Sequence, residues 1–254
     1  MGYQAYESVS SDEALAALTE HYVEGAGIYK FWAAWKSVGH AVARGWQVPD
    51  HPAQLHYAWD AENERSLNEA IRKPVRLAIG WLNLDALKRP QIADTGCGVG
   101  GCVTQIASEN PEYVVEGISI VQRQIEIAEK RKNHLGLDNV RFTQANLLRL
   151  PHRDKSFDGI IGIEAHCHIG EKEKPRLYGE LYRVLKPNRR LVVLDGYKTR
   201  EPEGEEVEWY DIFKRGFSLT EMITGQRQTE LMKEAGFREV LVKDVTERIR
   251  ESTK

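Results

Sequence analysis

Apolar and polar positions follow two alternating patterns along the chain after residue 90. Short apolar runs, such as 113–118 and 157–164, alternate with stretches in which apolar residues recur every three or four positions. The short runs predict buried strands, and the longer period predicts amphipathic helices. Strands that alternate with helices are typical of a doubly wound parallel sheet. We therefore expect an α/β fold with a mostly parallel sheet between helices.

The pattern gives bounds for each of these elements. The fourth apolar run is continuous, which predicts a strand buried on both faces. The predicted strands are Gln91 to Asp94, Tyr113 to Ile118, Val140 to Gln144, Phe157 to Glu164, Leu191 to Asp195 and Arg238 to Val245. The predicted helices run from 122 to 135, from 174 to 185 and from 228 to 235, and residues 196–225 form an insertion before the last helix.

Residues 1–90 form a separate predicted unit, rich in aromatic side chains. Five of the six tryptophans lie there, and the sixth lies in the insertion. Large aromatics of this kind can fill the core between helices, or they can form an aromatic wall over a ligand. Their absence from the predicted sheet favours an N-terminal helical cap over residues 1–90, completed by the insertion 196–225, with residues 91–254 as the ligand-binding domain. The expected wall residues are Trp32, Trp35, Trp46, Tyr57, Trp59 and Trp209.

Composition narrows the class of partner. The chain has 254 residues with a formal net charge of −3 and no basic stripe, which argues against a nucleic-acid partner. The three cysteines have neither metal nor disulfide spacing, and no signal peptide or apolar run of transmembrane length is visible. We therefore expect a cytoplasmic protein without an integral membrane segment that binds a small molecule. Assembly into a homo-oligomer stays open.

A glycine-rich turn follows the first predicted strand. Its sequence is Asp94-Thr95-Gly96-Cys97-Gly98-Val99-Gly100-Gly101. Glycines allow a backbone to approach a ligand closely, and a helix start offers free N–H groups. The spacing also fits a dinucleotide site. However, Asp94 would face a pyrophosphate with a negative charge, and the residue that closes the next strand is Ser119. Glu116 has the dinucleotide spacing but is expected to point elsewhere.

This turn resembles the first motif of class I S-adenosylmethionine-dependent methyltransferases, whose sheet is Rossmann-like. The resemblance implies S-adenosyl-L-methionine as the cofactor. It also implies that Ser119 and Gln124 bind near the ribose and that Asn146 and Leu147 contact the adenine. The alternatives are a strand end for Ser119 and a turn residue for Asn146. The implied cofactor residues are Asp94, Gly96, Gly98, Gly100, Ser119, Gln124, Asn146 and Leu147.

The run after the fourth strand, Ile163-Glu164-Ala165-His166-Cys167-His168, resembles a signature of sterol carbon-24 methyltransferases. Upstream, Gly45-Trp46 and the segment 55–58 are similar to their aromatic substrate motifs, although Arg44 and the longer spacing depart from that pattern. The resemblance implies the branch that methylates carbon atoms of sterols, tocopherol precursors or prenyl compounds. An isoprenoid alkene is a more secure expectation than a sterol.

The same run supplies the expected catalytic residues, Glu164, His166 and His168. Glu164 ends a buried strand beside the cofactor turn, where it is a base or a cation stabiliser, unless it only holds backbone N–H groups. The two histidines lack further ligands for a metal, so no metal is expected, and a proton relay is the alternative role for one of them.

The expected function is methyl transfer to an alkene carbon through a carbocation. An alkene is a weak nucleophile, so the enzyme must align it and exclude water. Aromatic faces stabilise the resulting cation, and a base removes one proton. The alternatives are N- or O-methylation of an amine or phenol, a dinucleotide-dependent oxidoreductase, and a cyclase that binds the cofactor without transferring its methyl group.

Overall fold

A computed structural model describes residues 58–60, 67–217 and 219–249. Its centre is a parallel sheet of five strands in the order β3-β2-β1-β4-β5, as the strand–helix alternation predicts. The strands are β1 (Gln91–Thr95), β2 (Val114–Ser119), β3 (Val140–Gln144), β4 (Phe157–Ile163) and β5 (Leu185–Leu194).

Seven α-helices accompany the sheet in this part of the chain. Two short 3₁₀ turns, His166–His168 and Glu171–Glu173, follow β4. The α-helices are α1 (Leu67–Leu82), α2 (Gly101–Glu109), α3 (Gln122–Leu135), α4 (Lys174–Val184), α5 (Glu206–Gly216), α6 (Gly225–Glu234) and α7 (Thr246–Ile249).

Two apolar cores lie on opposite faces of the sheet. Ile92 and Ile161 belong to one core, whereas their strand neighbours Ala93 and Ile160 belong to the other. Successive side chains of a strand point to opposite faces, so this division follows from the apolar runs in the sequence. The first core also holds side chains of α1 and α2, and the second holds side chains of α4 and α6. Helices therefore cover both faces.

Helix α1 shares its core with the sheet. Val75, Ala78 and Leu82 are almost fully buried in the same cluster as Ile92 of β1. The sequence placed this helix in the N-terminal cap, so the cap and the sheet domain meet within the first core. The domain boundary at residue 90 stays a prediction.

Two strand predictions differ from the structure. β5 begins at Leu185, directly after α4, instead of at Leu191. The sixth strand predicted at Arg238–Val245 is wrong, since these described residues form no strand. Their apolar residues suit a half-buried strand, and Val240 does pack against the second core, but Leu241 is 91% exposed and Val242 is 52% exposed. The sheet ends at β5.

Two searches concern the described residues alone. None of their helices has both the length and the apolarity that crossing a membrane requires. In the same part of the chain, no three His, Cys, Asp or Glu side chains lie close enough together to hold a metal ion.

Two glycines test this packing. A Cβ atom at Gly117 in β2 would lie 2.6 Å from the Phe142 ring and 2.9 Å from Cys97 Sγ, whereas one at Gly80 in α1 would meet nothing within 4 Å. We expect Gly117→Ala to lower the free energy of unfolding by about 1–3 kcal/mol, because the buried neighbours must move. Gly80→Ala should raise it by up to about 1 kcal/mol through helix propensity.

Urea unfolding of both variants measures these changes. Equal stability of the two variants would contradict the packing described for β2.

Candidate active site

The carboxyl ends of β1, β2, β4 and β5 form one edge of the sheet. The strand order reverses between β1 and β4, and ligands of open α/β sheets bind in the crevice at such a point. Asp94 of β1 pairs with Ile161 of β4, and Ile163 pairs with Leu194 of β5. The glycine turn after β1 and the turn at 164–168 after β4 therefore lie at the same crevice.

All three predicted glycines of the turn have left-handed backbone conformations, with φ of 104° at Gly96, 52° at Gly98 and 81° at Gly100. The space around them differs. A Cβ atom at Gly96 would overlap the Cβ of Ala165, and one at Gly100 would lie 2.7 Å from the Phe142 ring. Gly98 has no heavy atom within 4 Å of that position. Internal packing thus accounts for two glycines, and only Gly98 borders open space.

Asp94 is a buried acid beside this space, and one of its oxygens has no hydrogen-bond partner among the described residues. The residue is 2% exposed, and the oxygen without a partner is Oδ2. Burial raises the pKa of its carboxyl to about 7. A buried acceptor without a partner is costly and suits a ligand that brings a donor or a positive charge.

Ser119 and Gln124 form a fixed polar pair at the end of β2. The Ser119 hydroxyl donates to Gln124 Oε1 at 2.6 Å, and the Val121 N–H donates to Ser119 Oγ at 3.2 Å. The glycine turn is tied to the same strand end, because the N–H groups of Gly96 and Cys97 donate to the Ile118 carbonyl at 2.9 and 3.0 Å. The two residues thus lie beside the turn, and their contact with a ribose stays a prediction.

Asn146 and Leu147 follow β3 as the motif expects. The Asn146 side-chain oxygen accepts the N–H of Leu148 at 2.9 Å, so it acts as a turn residue. Leu147 is part-buried against the second core. Adenine contacts for both stay predictions. Glu116 points away from the crevice as expected, since its carboxylate accepts hydrogen bonds from Thr143 at 2.6 Å and from Arg141 at 2.6 Å.

Glu164 directly follows β4 and has φ of 49°, which is uncommon for a residue with a side chain. Its N–H donates to the Leu194 carbonyl of β5 at 2.7 Å. Burial raises the pKa of the Cys102 thiol, and the negative charges of Asp94 and Glu164 raise it further. Strained backbone such as that of Glu164 clusters at functional sites.

The expectation that His166 acts on a substrate is corrected by its burial. The residue is 0% exposed, and its Nε2 lies 2.9 Å from Thr95 Oγ1. Since the Thr95 hydroxyl donates to the Ile161 carbonyl at 2.8 Å, the histidine must donate from Nε2. Burial lowers the pKa of the ring to about 3. His166 is a neutral structural residue, whereas a catalytic role for the part-buried His168 stays a prediction.

The predicted aromatic wall is described only in part. Trp32, Trp35, Trp46 and Tyr57 lie outside the described residues. Trp209 is 69% exposed on α5, and its contact with a substrate stays a prediction.

For Trp59 the structure shows the packing alternative. The residue is 4% exposed, its ring lies 6.5 Å from the Trp81 ring, and its backbone N–H donates to the Ala70 carbonyl of α1 at 3.0 Å. The ring therefore fills a core position against α1.

Sequence reasoning missed a third acid at this edge. Asp195 follows β5 as Glu164 follows β4, and burial raises the pKa of its carboxyl to about 7. Its position at the end of a predicted strand was the signal that could have found it. Lys174, which is 3% exposed at the start of α4, gave no such signal because helix starts often carry solvated lysines.

The sequence of this chain is similar to those of known methyltransferases. Residues 92–188 match the family described as a methyltransferase domain. The chain is 36% identical over 186 residues to 24-methylenesterol C-methyltransferase 2 of Arabidopsis thaliana, a match that covers 71% of this chain and 50% of that protein. The chain thus spans about half the length of this curated relative.

Two solved structures share the fold. The cyclase SpnF is 26% identical, with a TM-score of 0.67 over 79% of this chain and 70% of that one. Geranyl diphosphate C-methyltransferase from Streptomyces coelicolor is 16% identical, with a TM-score of 0.74 over 96% of this chain and 87% of that one, and its structure contains S-adenosyl-L-homocysteine. At that identity the second likeness shows the fold alone.

Gly98 tests the open space. We expect Gly98→Val to weaken binding of S-adenosylhomocysteine by about 100-fold or more, because its side chain would overlap the ligand. Gly136 is a matched control. It has φ of 63°, and a Cβ atom added there would also meet no described heavy atom within 4 Å, but it caps the C-terminal end of α3. Both substitutions carry similar backbone strain. Calorimetry that showed equal losses for Gly98→Val and Gly136→Val would contradict the assignment.

Asp94 predicts a pH dependence of stability. Its pKa is near 7 in the folded protein and near 4 in an unfolded chain. Between these values the folded state holds a proton that the unfolded state lacks, so stability falls as pH rises, by up to about 4 kcal/mol. We expect Asp94→Asn to flatten this fall in the cofactor-free protein, whereas Asp138→Asn, at an exposed position, should not. Urea unfolding from pH 4 to 8 measures it, and parallel curves for Asp94→Asn and wild type would contradict the prediction.

Proposed function

We propose that this chain, whose residues 92–188 match a methyltransferase domain, uses S-adenosyl-L-methionine to methylate an alkene carbon of a small isoprenoid or sterol-like molecule. The observation that carries the proposal is the position of Glu164. It closes β4 in a left-handed conformation beside the glycine turn, within a chain that resembles a sterol C-methyltransferase.

The residues at the crevice fit this cofactor. Gly98 leaves the space into which a ligand can enter, and the unpartnered Oδ2 of Asp94 suits its positively charged end. Ser119 and Gln124 offer polar groups for the ribose. When bound, S-adenosyl-L-methionine supplies an electrophilic methyl group. The chain's own contribution is to fix these groups before binding, so that little ordering is needed later.

The proposed reaction needs a base that does not quench a cation. The alkene's π electrons would form the new carbon–carbon bond to the methyl group while the bond from that carbon to sulfur breaks and its electron pair stays on sulfur, which leaves a tertiary cation on the substrate. A base then removes a neighbouring proton, and the electrons of that C–H bond restore a double bond. We assign Glu164 as this base, because it directly follows β4, which pairs with the strand that ends in Asp94. His168 is the second candidate, whereas the buried, neutral His166 is not.

A lid over the crevice completes the proposal, with residues 1–60 and 196–225 as its two parts. Aromatic faces can stabilise a desolvated cation by about 2 kcal/mol each. Helix α5 exposes an apolar stripe of Trp209, Ile212 and Phe213, which are 69%, 45% and 40% exposed and share one face of the helix.

We expect the backbone amides of α5 to exchange hydrogen more slowly when cofactor and substrate are both bound. Unchanged exchange in both parts would contradict the lid.

The 26% identity to a cyclase favours one alternative, a cofactor-binding protein that transfers no methyl group. Incubation with methyl-labelled cofactor and a panel of prenyl, sterol, amine and phenol compounds separates the two. We expect the label on a carbon atom of a prenyl or sterol compound. Label on nitrogen or oxygen would contradict carbon methylation, and binding without any transfer would favour the cyclase alternative.

Glu164→Gln tests the base in the same assay. The change keeps the shape but removes the charge, so we expect turnover to fall by about 10²–10⁴-fold while the affinity for S-adenosylhomocysteine stays within a few-fold. Glu173→Gln on the following 3₁₀ turn is the control and should keep full turnover. Full turnover in Glu164→Gln combined with its loss in His168→Ala would show that the base is the histidine.

A further inference from the structure

The turn that carries Glu164, residues 164–168, is anchored by polar contacts on several sides. Its first N–H donates to the Leu194 carbonyl at 2.7 Å, and the His166 ring bonds to Thr95 at 2.9 Å. The Cβ of Ala165 fills the space beside Gly96. A shift of this turn would therefore disturb both β5 and the glycine turn.

Asp195 adds a charged anchor from β5. Because Ile163 pairs with Leu194, Asp195 is the register neighbour of Glu164 on the adjacent strand. Hydrogen bonds from the Cys167 thiol and from the N–H groups of Ala165 and Cys167 favour the ionised form of Asp195, and since Oδ1 has no partner among the described residues, Oδ2 is their acceptor. The pKa of Asp195 is about 7, so above that pH the acceptor is charged. Hydrogen bonds to a charged acceptor are stronger than neutral ones, so these bonds fix the residue that follows Glu164.

Lys174 makes a second contact with the same turn. Its ammonium group is buried at the start of α4 and donates to the His166 carbonyl at 2.9 Å. Burial lowers the pKa of Lys174, and the negative charge of Asp195 is the largest effect that opposes this. The charge of Asp195 thus favours the protonated form of Lys174.

Glu164 requires such support. A left-handed conformation costs an L-residue about 1–2 kcal/mol, and it persists only where the surroundings impose it. The turn has that conformation at the residue whose side chain must reach the substrate.

We propose that Asp195 and Lys174 are positioning residues that hold the 164–168 turn at Ala165, His166 and Cys167 and thereby fix Glu164 at the crevice. Only the effect on turnover rests on the proposed function. The hold on the turn itself can be measured in the cofactor-free protein.

Hydrogen exchange gives that direct measurement. In Asp195→Asn the acceptor is neutral, so the amides of Ala165 and Cys167 should exchange about tenfold faster or more, a factor that corresponds to the weakening of a charged hydrogen bond. Asp158→Asn is a matched control. Asp158 lies on β4 and pairs with Lys186 of β5 at 2.8 Å, but at the opposite end of the same two strands. It should leave both amides unchanged. Unchanged exchange of these amides in Asp195→Asn would overturn the proposal, whether or not the protein transfers methyl groups.

Measurements of kcat and melting temperature show whether Asp195 and Lys174 position Glu164 or only balance each other's charge. Asp195→Asn should lower kcat by about tenfold or more, with the affinity for S-adenosylhomocysteine within about threefold. Adding Lys174→Met removes the uncompensated charge, so the double variant should regain melting temperature without regaining kcat. Recovery of both would show that the residues only balance charge.

A double-mutant cycle of Asp195→Asn and Glu164→Gln tests whether Asp195 acts on turnover through Glu164. If it does, Asp195→Asn lowers kcat less in a Glu164→Gln background than in the wild type. Equal factors in both backgrounds would overturn the proposal. If the wild type transfers no methyl group, the proposed function fails and the exchange rates alone decide.

Discussion

Burial of carboxylates at one edge of the sheet is the constraint on which this site depends. A carboxylate taken out of water costs several kcal/mol unless hydrogen bonds or opposite charges compensate it. Asp94, Glu164 and Asp195 lie at or directly after the ends of three neighbouring strands. Asp94 and Asp195 each keep one oxygen without a hydrogen-bond partner among the described residues. The positive charge of Lys174 partly offsets the burial of Asp195, whereas burial alone raises the pKa of Asp94. A cationic ligand at the open space beside Gly98 would compensate Asp94.

The glycine turn shows how one short segment meets two different demands. At Gly96 and Gly100 the absence of a side chain leaves room for Ala165 and for the Phe142 ring, respectively. A Cβ atom at Gly98 would meet no heavy atom of the described residues within 4 Å. The close packing at the first two positions holds the third in place, so the backbone that borders the open space is fixed before any ligand arrives. Preorganisation of this kind reduces the ordering cost of binding.

Much of the fold could be predicted because local patterns determine it. β1, β2 and β4 have short, mainly apolar segments and β3 alternates apolar and polar residues, and the acid and glycines after β1 lie where such a motif places them. The residues 238–245 have an equally good strand pattern, but a strand needs a neighbour to cover its apolar face, and no periodicity reveals that. The same limit applies to Trp59, whose burial against α1 depends on tertiary contacts.

The site was predicted less completely for a related reason. The sequence shows that His166 and Glu164 are two residues apart, but not that the backbone reverses at Glu164 and turns His166 inward to Thr95. Lys174 was equally invisible, because its burial results from how α4 packs against the turn. Roles that follow from a strand end could be predicted, and roles that follow from a turn could not.

A crystal structure of the protein with S-adenosyl-L-homocysteine tests the central claim most directly. The account predicts that the ligand lies against the backbone of Gly98, that Asp94 Oδ2 gains a hydrogen-bond donor from it, and that its ribose reaches the Ser119–Gln124 pair. A ligand bound away from the carboxyl ends of β1 and β4, with Asp94 still unpartnered, would contradict it.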